Sequence, residues 1–253
     1  MSQGSPPRAT RFGVIRSAAW APGIATEEEW SAWARGELPL GRDGEPRLEQ
    51  MPAMLRRHAG RLGRMACDVA YRVLEGERDI PIVFCSRYGE VGRSVDLLTA
   101  MVSGESLSPT SFGLSVHNAI GGLFAMARAD TANCIALAAG DESAEYGVLE
   151  AANLVADGAG RVLVVVADTP LPAVYESFAD VASAAFAWAA LLDAGAERAM
   201  WLEWLPLAPD VAAGETRGRQ LPAALSAYRF LHGTDREWVH EHEGHRWRWS
   251  RGD

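Results

Sequence analysis

Cys134-Ile135-Ala136-Leu137-Ala138-Ala139-Gly140-Asp141-Glu142-Ser143 decides the fold of this 253-residue chain. Six apolar residues run into a glycine turn and then into Ser143 to Ala156, which carries helical apolar spacing and stops at Asp157-Gly158. A short apolar run bounded by turn signals reads as a strand, and a longer periodic segment reads as a helix. Val162-Leu163-Val164-Val165-Val166-Ala167 follows as a continuous β-branched run, the pattern of a strand covered on both faces. Strand, helix and strand in this order form a right-handed β-α-β crossover between parallel strands. Asp141 and Glu142 then stand where the first strand hands over to the helix.

The same alternation extends in both directions. Phe12 to Trp20 has strand character, and Ile80 to Cys85 is a second strand. Thr26-Glu27-Glu28-Glu29 is a capping-box pattern before Trp30 and Trp33, with Gly36 as a stop. Leu55, Leu62, Met65, Ala66, Val69, Val73 and Leu74 predict one long helix from Met51 to Leu74, weakened at Gly60 and Gly63. Val91 to Val102 is predicted as a helix, Ser108-Pro109 opens a loop, and Asn118 to Arg128 is a further helix. Ala184 to Leu192 and Trp201 to Leu207 are predicted as later strands. Pro209 to Gly218 is the best candidate boundary. Beyond it, one helix and a Trp-rich tail read as an appendage, about 219–253, on a single α/β domain whose core runs about 11–208.

Composition narrows the function. A net charge of −9 argues against nucleic acid, which needs clustered cation. No long uncharged apolar run marks a membrane span. Met1 to Thr10 lacks an apolar core and reads as a disordered lead rather than a signal peptide. Three cysteines, Cys67, Cys85 and Cys134, without a CxxC pair, fit a reducing cytoplasm. No Gly-rich phosphate loop follows a strand, and no cofactor is expected.

Ser108-Pro109-Thr110-Ser111-Phe112-Gly113-Leu114-Ser115-Val116-His117-Asn118, Ile135 to Ser143 and Gly147 to Gly158 resemble the N-terminal half of the β-ketoacyl synthases, members of the thiolase-like superfamily. In that family a Ser-Pro opens a loop, an Asn follows ten residues later, and a strand delivers Thr-Ala-Cys to the start of a buried helix. Laid on this chain without a gap, the Asn falls at Asn118 and the nucleophilic Cys at Asp141. Counting back from Ala151-Ala152 and Ala156-Asp157-Gly158 reaches the same position. The resemblance implies a thiolase-like half-fold: a mainly parallel five-stranded sheet with helices on both faces. It ends near Leu192, so the family's second half and its catalytic histidines are expected to be missing. Ser86-Arg87-Tyr88-Gly89-Glu90 and the Ser108 to Asn118 loop narrow it to the short, chain-length-factor-like subunits of aryl polyene and xanthomonadin-type pathways.

The resemblance implies three functions. The first is a non-catalytic subunit that completes a full-length β-ketoacyl synthase as a heterodimer. The second is a stand-alone decarboxylase or hydrolase using Asp141 or Glu142. The third is a self-dimer that binds acyl chains or acyl carrier protein. A condensing enzyme needs a thiolate activated at a helix N-terminus, whereas Asp141 there reads as a cap. His117 and Asn118 are placed near it. In complete members the strand before the nucleophile pairs across the subunit interface, which nominates Cys134, Ile135, Ala136, Leu137, Ala138 and Ala139. An inner helical layer left uncovered must meet the C-terminal tail, another copy or a different protein. Arg57, Arg61 and Arg64 recur at helical spacing as a basic stripe that an acidic carrier protein would fit. His232-Gly233-Thr234 reads as a helix terminus. His240, His242 and His245 read as part of a solvated hairpin pinned by Trp238, Trp247 and Trp249, with no metal site expected.

Overall fold

One strand, β1 (Arg8–Trp20), serves two parts of a sheet. In the computed structural model, which describes residues 8–206, 221–242 and 244–252, its first half pairs with β6 (Ala199–Pro206) and its second half with β5 (Phe186–Asp193). The change of partner falls at Gly13, where an added Cβ would lie 2.4 Å from the Ala196 side chain, and at a bulge between Val14 and Arg16. A residue without Cβ and a bulge are the usual devices for bending a strand. Arg8 to Thr10, expected in a disordered lead, belong to this strand, because each pairs with a residue of β6.

Among the described residues the sheet has eight strands in the order β3-β2-β4-β5-β1-β6-β8-β7. β2 (Ile82–Cys85) runs parallel to both β3 (Cys134–Leu137) and β4 (Arg161–Asp168), as the crossovers require. The other pairings are antiparallel. The thiolase-like α/β class holds, while the expectation of five mainly parallel strands changes in two respects. β5 returns beside β4 without an intervening α-helix, and β7 (Glu237–His242) and β8 (His245–Arg251) extend the sheet from β6. The C-terminal residues are therefore built into the sheet rather than appended to it. The proposed boundary at Pro209 to Gly218 lies outside the described residues.

Two cores cover the two faces. One packs α3 (Arg61–Leu74) and α6 (Ala119–Arg128) against β2, β4 and β5. The other packs α1 (Glu27–Ala34), α7 (Ser143–Ala156) and α8 (Ala223–His232) on the opposite face. Trp188 joins sheet to helix here, donating its indole N–H to the Ala224 carbonyl at 2.9 Å. Of the three covers named for the inner layer, the chain's own α8 and hairpin lie over α7. The Thr26 capping box forms as read. The predicted helix from Met51 to Leu74 splits into α2 (Ala53–Arg56) and α3, because the chain turns at Arg57 to Ala59 and Gly60 is extended.

Candidate functional site

The turn between β3 and α7 is built by its own polar groups. Gly140 has a positive φ of 57°, which glycine adopts without steric penalty. The Ser143 hydroxyl donates to the Gly140 carbonyl at 2.7 Å and accepts from the Ala139 N–H at 3.0 Å. This aims the Asp141 carboxylate away from α7. Its Oδ1 accepts a hydrogen bond from the Ala223 N–H at 3.2 Å, at the first residue of α8. Asp141 therefore caps α8, not the helix it precedes. Pro222 stands at the N-cap of α8 and has no hydroxyl or carboxylate of its own to offer. Arg87 Nη1 lies 3.6 Å from the same Oδ1.

A second carboxylate, Glu142, accepts the indole N–H of Trp247 at 2.7 Å, and a third, Glu145, is fully buried. Facing them is β7, where alternation turns Trp238, His240 and His242 inward and Val239 and Glu241 outward. His240 Nδ1 stands 2.8 Å from Glu145 Oε1, and His240 Nε2 stands 3.7 Å from Asp141 Oδ2. Burial alone lowers the His240 pKa, but the Glu145 hydrogen bond and the charges of Glu145, Asp141 and Glu142 outweigh it and raise the value. The hairpin is pinned by Trp247 and Trp249, both buried. It is not solvated on its inner face, since the His240 side chain is 11% exposed.

Beside Asp141 lies a cavity of about 40 Å³, lined among others by Arg87, Tyr88, Asp168, Thr169 and Ala224. That volume holds a water molecule or a small ion, not an acyl chain. Asp168 ends β4 and accepts from Ser86 Oγ at 2.9 Å and from the Arg87 N–H at 2.8 Å. Burial pushes its carboxyl up to about 7, against the opposing pull of those two hydrogen bonds and the Arg87 charge. Arg87 also pairs with Asp180 at 2.5 Å. His117 and Asn118 do not join this site. His117 Nε2 is 2.8 Å from the Ser86 carbonyl and packs against Gly89, while Asn118 is exposed at the start of α6.

Residues 30–250 match the family described as β-ketoacyl synthase, N-terminal domain. The chain belongs to this family. It is 27% identical to a chain of the complex of the ketosynthase ApeO with its chain length factor ApeC from Xenorhabdus doucetiae, covering 95% of this chain and 99% of that one, with a TM-score of 0.78. It also shares the fold of the ishigamide ketosynthase/chain length factor at 17% identity, covering 79% of this chain and 68% of that one, with a TM-score of 0.63. A ketosynthase of the bacillaene polyketide synthase of Bacillus amyloliquefaciens matches at 12% identity over 80% of this chain and 48% of that one, with a TM-score of 0.54. No curated protein matches at a significant level.

In this ketosynthase-family chain the strand β3 lies at one edge of the sheet, paired with β2 on one side. Each of its four residues is half-buried, and Ala138 and Ala139 lie beyond its end. Close in sequence are α4 (Val91–Val102), none of whose twelve residues is buried, and α5 (Pro109–Gly113). Leu98, Met101, Val102, Phe112, Val116 and Met126 are exposed apolar side chains, Val102 to 86%. The Arg57, Arg61 and Arg64 stripe does not form, because Arg57 precedes the helix. Arg61 donates to the carbonyls of Arg42 and Gly44, and Arg64 to that of Ala59.

Sequence reasoning missed Arg87, Glu145, Asp168, His240 and His242 as neighbours of Asp141. The signal for β7 was present in the alternation from Trp238 to His242. The polar composition of the hairpin concealed it, because its charged residues occupy the outward positions.

Proposed function

We propose that this chain is a ketosynthase-like subunit without condensing activity of its own, which pairs with an active β-ketoacyl synthase as a chain length factor does, in fatty acid or polyketide-type polyene biosynthesis. The observation that carries this reading is the Asp141 carboxylate, held by α8 and Arg87 where the sequence resemblance sets the nucleophile. An ionised carboxylate is a poor acyl acceptor. Cys67 and Cys85 are buried, and desolvation pushes both thiols well up, away from the thiolate form. Glu142 is committed to Trp247, which disfavours the stand-alone decarboxylase or hydrolase.

The partner would cover the β3 edge and the apolar residues of α4 to α6. A twelve-residue helix with exposed Leu98, Met101 and Val102 on a lone chain is an unfinished surface. The apolar edge strand β3, packed against α6, offers unpaired backbone groups to a second sheet. The near end-to-end match to a chain of a ketosynthase–chain length factor complex supports the same partner class. An acidic carrier protein meeting this subunit would find Arg57 exposed, with Arg61 and Arg64 turned to their own loops.

Co-expression with a full-length β-ketoacyl synthase from the same organism, followed by native mass measurement, tests the reading. A one-to-one heterodimer is expected, with acyl groups appearing on the ketosynthase alone when acyl carrier protein is supplied. A stable self-dimer that ignores the ketosynthase, or an acyl group on this chain, overturns it.

A further inference from the structure

We propose that Asp141, His240 and His242 bind a zinc ion, with Glu145 as the buried carboxylate that orients His240. One ligand atom from each of the three lies within 4.8 Å of the others. Two come from one strand at i and i+2, on the inward face of β7, and one from the turn before α7. Imidazole and carboxylate together form a donor set suited to zinc.

The spacing favours a shared ion over a direct contact. His240 Nε2 and Asp141 Oδ2 are 3.7 Å apart, too long for a hydrogen bond. Two ligands on a tetrahedral zinc at 2.0–2.1 Å stand about 3.4 Å apart, so a small closing movement of either side chain suffices. Asp141 divides its oxygens accordingly. Oδ1 takes the Ala223 N–H and faces Arg87, while Oδ2 is turned to His240.

Glu145 supplies the second, independent observation. It is fully buried, and its Oε1 stands 2.8 Å from His240 Nδ1. A carboxylate accepting Nδ1–H leaves the Nε2 lone pair free, which is the arrangement that fixes zinc-binding histidines. The other oxygen, Oε2, is buried without a hydrogen-bond partner among the described residues. Asp141, Glu142 and Glu145 bring three carboxylates together, and Arg87 is already shared with Asp180. A dication answers that surplus. The ion would clamp the hairpin to the head of α7, closing the nucleophile position from the C-terminal side.

The full chain, freed of any affinity tag and stripped with chelator, is titrated with zinc chloride by calorimetry and with cobalt(II) by visible absorption. One zinc per chain is expected, with a tetrahedral cobalt spectrum. His242→Ala and Asp141→Asn should each weaken zinc binding at least tenfold, and Glu145→Gln about 10–100-fold. His58→Ala, in the turn before α3 and on the other face of the sheet from α7, should leave binding unchanged. Circular dichroism in chelator confirms that each variant is folded. Absence of saturable one-to-one binding by the wild-type chain overturns the proposal. So does undiminished binding by folded His242→Ala and Asp141→Asn. The result stands or falls independently of pairing with a ketosynthase, which native mass measurement reads separately.

Discussion

Asp141 accepts a hydrogen bond from the backbone N–H of Ala223 at 3.2 Å, joining residues 82 positions apart in sequence. The residue that the sequence resemblance assigns to the nucleophile position is thus part of the closure of the chain over itself. Asp141→Ala should cost about 1 kcal/mol, the ordinary value of a lost cap, measured by urea unfolding in chelator. Amide exchange should rise first at the start of α8. Asp141→Cys should not accept an acyl group from acyl carrier protein, because α8 and β7 still cover the position. Intact-mass detection of an acylated Cys variant would refute the closure.

The exposed face makes a different prediction, separable from folding. Val102 is 86% exposed and Met126 is 63% exposed, so Val102→Asp and Met126→Glu should change stability of the lone chain by less than about 0.5 kcal/mol. The same variants should abolish co-purification with the ketosynthase. Ile135→Asp on β3 should do so as well, at the price of some stability, since Ile135 is half-buried beside Val83. Retained pairing by all three variants would place the interface elsewhere.

Local patterns account for what the sequence revealed. Val162 to Ala167 was legible as a doubly covered strand because every position is apolar, and each is buried in the sheet. The edge position of β3 came from the family register, not from the residues, which would suit an internal strand equally well. The break at Arg57 to Gly60 was marked only by Gly60 as a weak point, because apolar spacing continues in phase across it. The site was least legible. Asp141 meets His240 and Ala223 through contacts that depend on how β6, β8 and β7 stack, and no short-range signal carries that order.

Packing of α7 on the sheet rests on one small residue. A Cβ added at Gly147 would stand 2.3 Å from Cys85 Sγ, at the end of β2. Gly147→Ala should therefore destabilise by about 1–3 kcal/mol, as overpacking does. Combining it with Cys85→Ala should recover most of that loss, giving a coupling energy well above the error of a double-mutant cycle. Additive effects in the two single variants and the double would show that the helix simply shifts.

Asp168 gives the pH dependence its sign. Its carboxyl has an ordinary value of 3.8 and is pushed up to about 7 by burial. Between these two values the unfolded chain has released a proton that the folded chain keeps. The folded state binds more protons there, so this group's contribution to stability falls as pH rises from about 4 to about 7, and is constant above that. Asp168→Asn keeps an oxygen to accept from Ser86 Oγ and the Arg87 N–H, and removes the titration. Unfolding free energies of the two proteins, measured side by side, should diverge across that window. The wild-type chain should lose stability relative to the variant as pH rises. Parallel profiles from pH 4 to pH 8 would mean that Asp168 ionises in the folded protein at its ordinary value.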